Sequence, residues 1–130
     1  MEILTLSIKQ IYFDEIRSGL KKDEIREIRP NNAGRYIRYC VDGQIYEREE
    51  DIPKSAVEVG IEPRKYDAIK FLTGAYSGVR PSMLVEVLDA EVQIFTDEED
   101  NDIVYEFEGK EYLAAQIVYQ LGKILQIQQD

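Results

Sequence analysis

A chain of 130 residues is long enough for one hydrophobic core and too short for two, so a single domain over 1–130 is expected. With no histidine and one cysteine, Cys40, it lacks Ser-His and Cys-His nucleophile pairs, the common Cys/His zinc sites and any intrachain disulfide. No apolar run approaches the ~20 residues that span a bilayer and no secretory leader opens the chain, so a cytoplasmic protein off the membrane is expected, while the charge of −10 disfavours long duplex nucleic acid.

In chain order, the alternation of Leu4, Leu6 and Ile8 against Ile3, Thr5 and Ser7 predicts a half-buried strand. Ser7-x-x-Gln10 reads as a capping box, and Tyr12, Phe13, Ile16 and Leu20 follow helical spacing with Gly19 as a left-handed stop, which predicts a helix over about 9–18. A strand over about 22–29 should end at Arg29-Pro30 and the loop 31–34. A further strand at 36–41 should turn at Asp42-Gly43 into a partner at 44–48. Residues 49–65, acidic and broken by Pro53, Gly60 and Pro63, read as a peripheral insertion with a short helix or turn near 53–59. Residues 66–72 alternate again, followed by a glycine-bearing loop over 73–81.

The run 82–95 is the clearest long strand, with a phase shift near Leu88-Asp89-Ala90 that predicts a bulge. Residues 96–102 form an acidic loop, expected as a solvated turn without a metal, and Glu108-Gly109 marks a second hairpin. The tail around 117–127 is β-rich and interrupted by Gly122, with helix as the competing assignment. Six or seven strands with one early helix and no strand-helix alternation predict an α+β, mainly β protein, a curled mixed sheet or small barrel.

Gly19, Lys21, Glu24 and Arg26 stand at the spacing G-x-K-x-x-E-x-R. If the second strand is extended, Glu24 and Arg26 leave one face and Lys21 reaches them from the turn, so three charges converge beside a glycine. The alternative is an exposed ion pair worth at most about 1 kcal/mol. Residues 1–38 hold eight Lys/Arg and six Asp/Glu, whereas 39–130 hold eight against twenty, which concentrates basic character around the motif.

The octet and its setting resemble the ASCH domain family of PUA-like small β-barrels, in the form of small single-domain phage and Bacteroidetes-type members. Arg29-Pro30 followed by Arg35, Gly74-Ala75-Tyr76 with Pro81-Ser82-Met83, and Leu121-Gly122 are similar to further motifs of those members; Asn31-Asn32 and Ala75 depart from them. The resemblance implies a cleft that binds RNA or a small, modified nucleotide through Gly19, Lys21, Glu24, Arg26, Arg35 and Tyr76, with no cofactor. A base stacked on Tyr76 would contribute about 1–3 kcal/mol. Two alternatives stay open. One is a histidine-independent hydrolase on RNA or a modified nucleoside, with Lys21 as base and Glu24 beside it, although the family's amidohydrolases on acetylated cytidine have a threonine where this chain has Glu24. The other is a structural or protein-interaction domain in which Glu24 and Arg26 fix a corner.

Overall fold

The structure, a computed structural model, describes residues 1–74 and 80–128. Strand β1 (Ile3–Ser7) buries Leu4 and Leu6 and exposes the residues between them, as its alternation predicts. Helix α1 (Gln10–Arg17) buries Phe13 and Ile16. Its N-cap is Lys9 without a side-chain cap bond, so the expected Ser7-x-x-Gln10 box does not form. Ser7 is still extended in β1, and the Gln10 amide donates forward to Asp14 instead, at 2.9 Å. Gly19 ends the helix at φ 82°, a conformation that glycine adopts without steric cost, and its N–H donates to the Ile16 carbonyl.

Strand β2 (Asp23–Ile28) follows, and then a four-residue helical turn, α2 (Ala33–Tyr36), where a loop running into a strand was expected. The Arg29 carbonyl accepts from both Asn32 and Ala33, and the Asn32 side chain accepts from the Arg29 N–H at 2.8 Å; these bonds wind the segment. Strands β3 (Ile37–Val41) and β4 (Gln44–Tyr46) form the expected hairpin through Asp42 and Gly43, both at positive φ.

Between Glu49 and Arg64 the expected turn is present, closed by the Ala56 N–H on the Pro53 carbonyl at 3.0 Å, but the stretch also holds elements that were not expected. A 3₁₀ turn covers Glu49–Asp51, and β5 (Gly60–Pro63) pairs antiparallel with β3. Pro63 is tolerated because β5 is an edge strand of the order β4-β3-β5.

Strand β6 (Ala68–Leu72) pairs parallel with β1, placing Ile3 opposite Ala68, and antiparallel with β7 (Ser82–Ile94). In β7 the buried odd positions Met83 and Val85 give way, past the exposed Leu88 and Asp89, to half-buried Ala90 and Val92, so the phase shifts where the sequence places it. Strands β8 (Val104–Phe107) and β9 (Lys110–Leu113) form the Glu108-Gly109 hairpin. The tail is one strand, β10 (Ala115–Gln128), which overturns the helical alternative. Gly122 does not interrupt it. A Cβ there would press on Glu86 Oε1 and come within 3.0 Å of Leu88, so close approach of β7 explains the glycine.

Among the described residues ten strands, three or four more than expected, lie in sheets ordered β1-β6-β7-β10-β2, β4-β3-β5 and β8-β9. With 53% strand and 12% helix the chain is α+β and mainly β, and its sheets are not closed among the described residues. No helix among those residues is long and apolar enough to cross a membrane.

The chain divides into two compact units, the first comprising Met1–Glu24, Lys65–Asp89 and Tyr119–Asp130, the second Ile25–Arg64 and Ala90–Val118. The first holds most of the fully buried bulk: Leu6, Phe13, Ile69, Phe71, Met83, Val85 and Tyr119. Of the largest fully buried side chains among the described residues, the second unit contributes Ile117.

Candidate functional site

Lys21 follows the helix-ending glycine, and its position is set through the backbone. Its N–H donates to the Glu15 carbonyl at 3.0 Å, and the Lys22 carbonyl accepts from Leu121 at 2.9 Å. From there Lys21 Nζ reaches Glu24 Oε1 at 3.2 Å and Asp23 Oδ1 at 4.0 Å. Glu24 is 5% exposed, the most deeply buried charged residue of the described chain, because the alternation of β2 turns it to the same face as buried Ile28. Burying a carboxylate is unfavourable unless it is paired, and Lys21, half-buried with 19% of its side chain exposed, supplies the pair.

The remaining expected site residues distribute as follows. Arg26 is half-buried on β2 and belongs to the second unit, as does Arg35, exposed on α2 with its guanidinium 5.8 Å from the Tyr36 ring centroid. Tyr76 lies outside the described residues. The ends of its loop are held within the first unit: buried Thr73 donates to Gln10 Oε1 at 3.4 Å, and Arg80 donates to Ser7 Oγ at 3.4 Å. The structure therefore brings Gly19, Lys21 and Glu24 together in one unit. The segment 1–38 divides between the units after Glu24, and its basic excess falls in the second: residues 25–38 hold four Arg against one Glu, whereas 1–24 hold four Lys/Arg against five Asp/Glu. The first unit carries eight Lys/Arg against nine Asp/Glu, the second eight against seventeen.

A second candidate site lies wholly inside the second unit: a cavity of about 380 Å³. Its apolar wall includes Ile28, Ile37, Ile61 and Val92, and Tyr39, Tyr105 and Tyr112 also line it. Tyr105 and Tyr112 stand opposite each other in the β8–β9 ladder with rings stacked at 5.9 Å and 26°. The Arg29 guanidinium lies 4.5 Å over Tyr105, and Lys110 Nζ lies 5.4 Å from the Tyr112 centroid while pairing with Glu49. Burial pushes the Tyr39 hydroxyl above its ordinary pKa, helped by Tyr112 and by the negative charge of Glu50. Ion pairs brace the surroundings. Arg38 pairs with Glu62 at 2.6 Å, and Arg64 pairs with Glu47 and donates to the Gly34 carbonyl at 2.6 Å.

Sequence reasoning missed this cavity because half of its lining comes from 44–65 and 96–112, stretches outside any motif. One signal was present: counting outward from the Glu108-Gly109 turn sets Tyr105 against Tyr112. In the acidic loop, Asp97 Oδ1 accepts from the Glu99 and Asn101 backbone amides at 2.8 and 3.0 Å, which makes that carboxylate the organiser of a turn. Comparison with protein-family models, curated proteins and solved structures finds no match.

Proposed function

We propose that this chain is a binding module for a nucleotide or a short single-stranded RNA, with Lys21 and Glu24 at the centre of the ligand site. The observation that carries the reading is the Lys21–Glu24 pair at 3.2 Å, one partner buried and the other half-buried, just beyond the positive-φ Gly19. An ammonium has three donors. Glu24 engages one direction and Asp23 stands at 4.0 Å, so a remaining donor of Lys21 is suited to a phosphate or base carbonyl, while Glu24 holds the ammonium in place. The nearly balanced charge of the first unit supports an anionic ligand there better than the chain's total of −10 suggests. The octet's likeness to the ASCH pattern points the same way.

Fluorescence anisotropy with a labelled oligouridine, alongside calorimetry with mononucleotides, tests the reading. Binding should weaken modestly between 50 and 200 mM salt, as one or two phosphate contacts require, and Lys21→Ala should lower affinity about tenfold. Affinity indifferent to both salt and Lys21→Ala would exclude it. Release of acetate from acetylated cytidine by the wild type and not by Lys21→Ala would instead favour the hydrolase.

A further inference from the structure

The cavity of the second unit has the size of a small-molecule site, and its wall is mainly aliphatic. What decides the ligand is charge. Each cation on its rim is already engaged: Arg29 with Glu27, Arg48 with Glu50 and Asp51, and Lys110 with Glu49. The carboxylates are not equally engaged. Glu111 has no ion-pair partner among the described residues, and Glu50 is held only by the exposed Arg48 at 3.8 Å, a pair worth little. An entering anion would have to displace a carboxylate from one of these cations inside a unit that carries nine excess negative charges, whereas a cation at Glu50 competes only with the exposed Arg48 pair at 3.8 Å.

The aromatic side chains agree with this choice. Tyr105 and Tyr112 already carry Arg29 and Lys110 against their rings. Tyr39 carries neither a ring contact nor a side-chain hydrogen bond among the described residues, and it lines the same cavity as Glu50, whose charge it feels. A tyrosine face and hydroxyl next to a weakly held carboxylate, opening on an aliphatic wall, accept an ammonium group at one end and an apolar body at the other.

We infer that the cavity binds a small organic cation, an amine with an apolar or aromatic body, whose ammonium sits between Tyr39 and Glu50 while the body lies against Ile28, Ile37, Ile61 and Val92. This site is independent of the Lys21–Glu24 pair and takes ligands of opposite charge.

Three probes of similar shape separate the possibilities by calorimetry or NMR titration of the full chain: 2-phenylethylammonium, 2-phenylethanol and 3-phenylpropionate. The ammonium should bind saturably, the alcohol at least tenfold more weakly, and the carboxylate not at all. Glu50→Gln should weaken the ammonium about fivefold or more, and Ile61→Trp, which fills the cavity, should abolish binding. Lys21→Ala should leave ammonium binding unchanged, which keeps this test separate from that of nucleotide binding. If Ile61→Trp fails to fold by circular dichroism, Glu50→Gln decides. The inference is overturned by equal affinity for all three probes, by preference for the carboxylate, by no saturable binding of the ammonium, or by indifference to Glu50→Gln.

Discussion

The two units of this chain spend their residues differently. The first packs Leu6, Phe13, Ile69, Phe71, Met83, Val85 and Tyr119 to near-complete burial and balances its charges to within one. The second surrounds a cavity of about 380 Å³ with half-buried tyrosines and carries a large acidic excess. Dense packing holds a backbone still, and a near-neutral surface lets a single lysine–carboxylate pair set the local field. An open aromatic cavity gives up packing energy and gains room for a guest. The two proposals follow this difference: an anion at Lys21 is proposed for the first unit, a cation at Tyr39 and Glu50 for the second.

The largest expected effect contrasts the two interiors directly. Phe71→Ala should cost about 4 kcal/mol in urea denaturation, because a fully buried ring leaves a void. Tyr112→Ala, at the wall of an existing cavity, should cost about 1 kcal/mol. Equal costs would erase the distinction between a packed unit and an open one.

Next in size is the ion pair. Glu24→Ala should cost about 2 kcal/mol, below the range for breaking a fully buried pair, because Lys21 keeps access to water and turns toward it once its partner is gone. A loss under about 0.5 kcal/mol would show that the pair contributes nothing to the corner and would leave ligand binding as its only role.

The smallest effect is a pH dependence in the second unit. Tyr39 has its pKa raised in the fold above the unfolded value of about 10. The unfolded chain therefore releases this proton first, so the stability associated with Tyr39 is intact below about pH 10 and lost as pH rises through the folded value. Tyr39→Phe should flatten the stability profile above pH 10 relative to wild type. A matching slope in both would mean that other tyrosines carry the alkaline transition.

How much of this was readable in the sequence depended on whether local chemistry decided the outcome. Asp42-Gly43 and Glu108-Gly109 demand positive φ at consecutive residues, and few arrangements other than a tight hairpin satisfy that. Leu4 and Leu6 could face only one way once β1 was extended. Strand β5 was hidden because Gly60 and Pro63 are breakers by propensity, and only its edge position next to β3 makes them acceptable. At the octet, the approach of Lys21 and Glu24 followed from spacing, but the burial of Glu24 did not: nothing in the sequence states which face of β2 is covered. The cavity was least readable of all, since Ile28, Tyr39, Val92 and Tyr112 are collected from segments that share no periodicity.

The parallel match of β1 to β6, with Ile3 set against Ala68, has a consequence for biosynthesis. Strand β6 is the neighbour of β1 in the sheet order, so β1 leaves the ribosome with its ladder partner still unmade and waits until residues 8–72 have been translated as well. Closing so distant a contact is slow relative to a hairpin. During that interval Leu4 and Leu6 are uncovered, which makes β1 a segment that a chaperone could usefully shield.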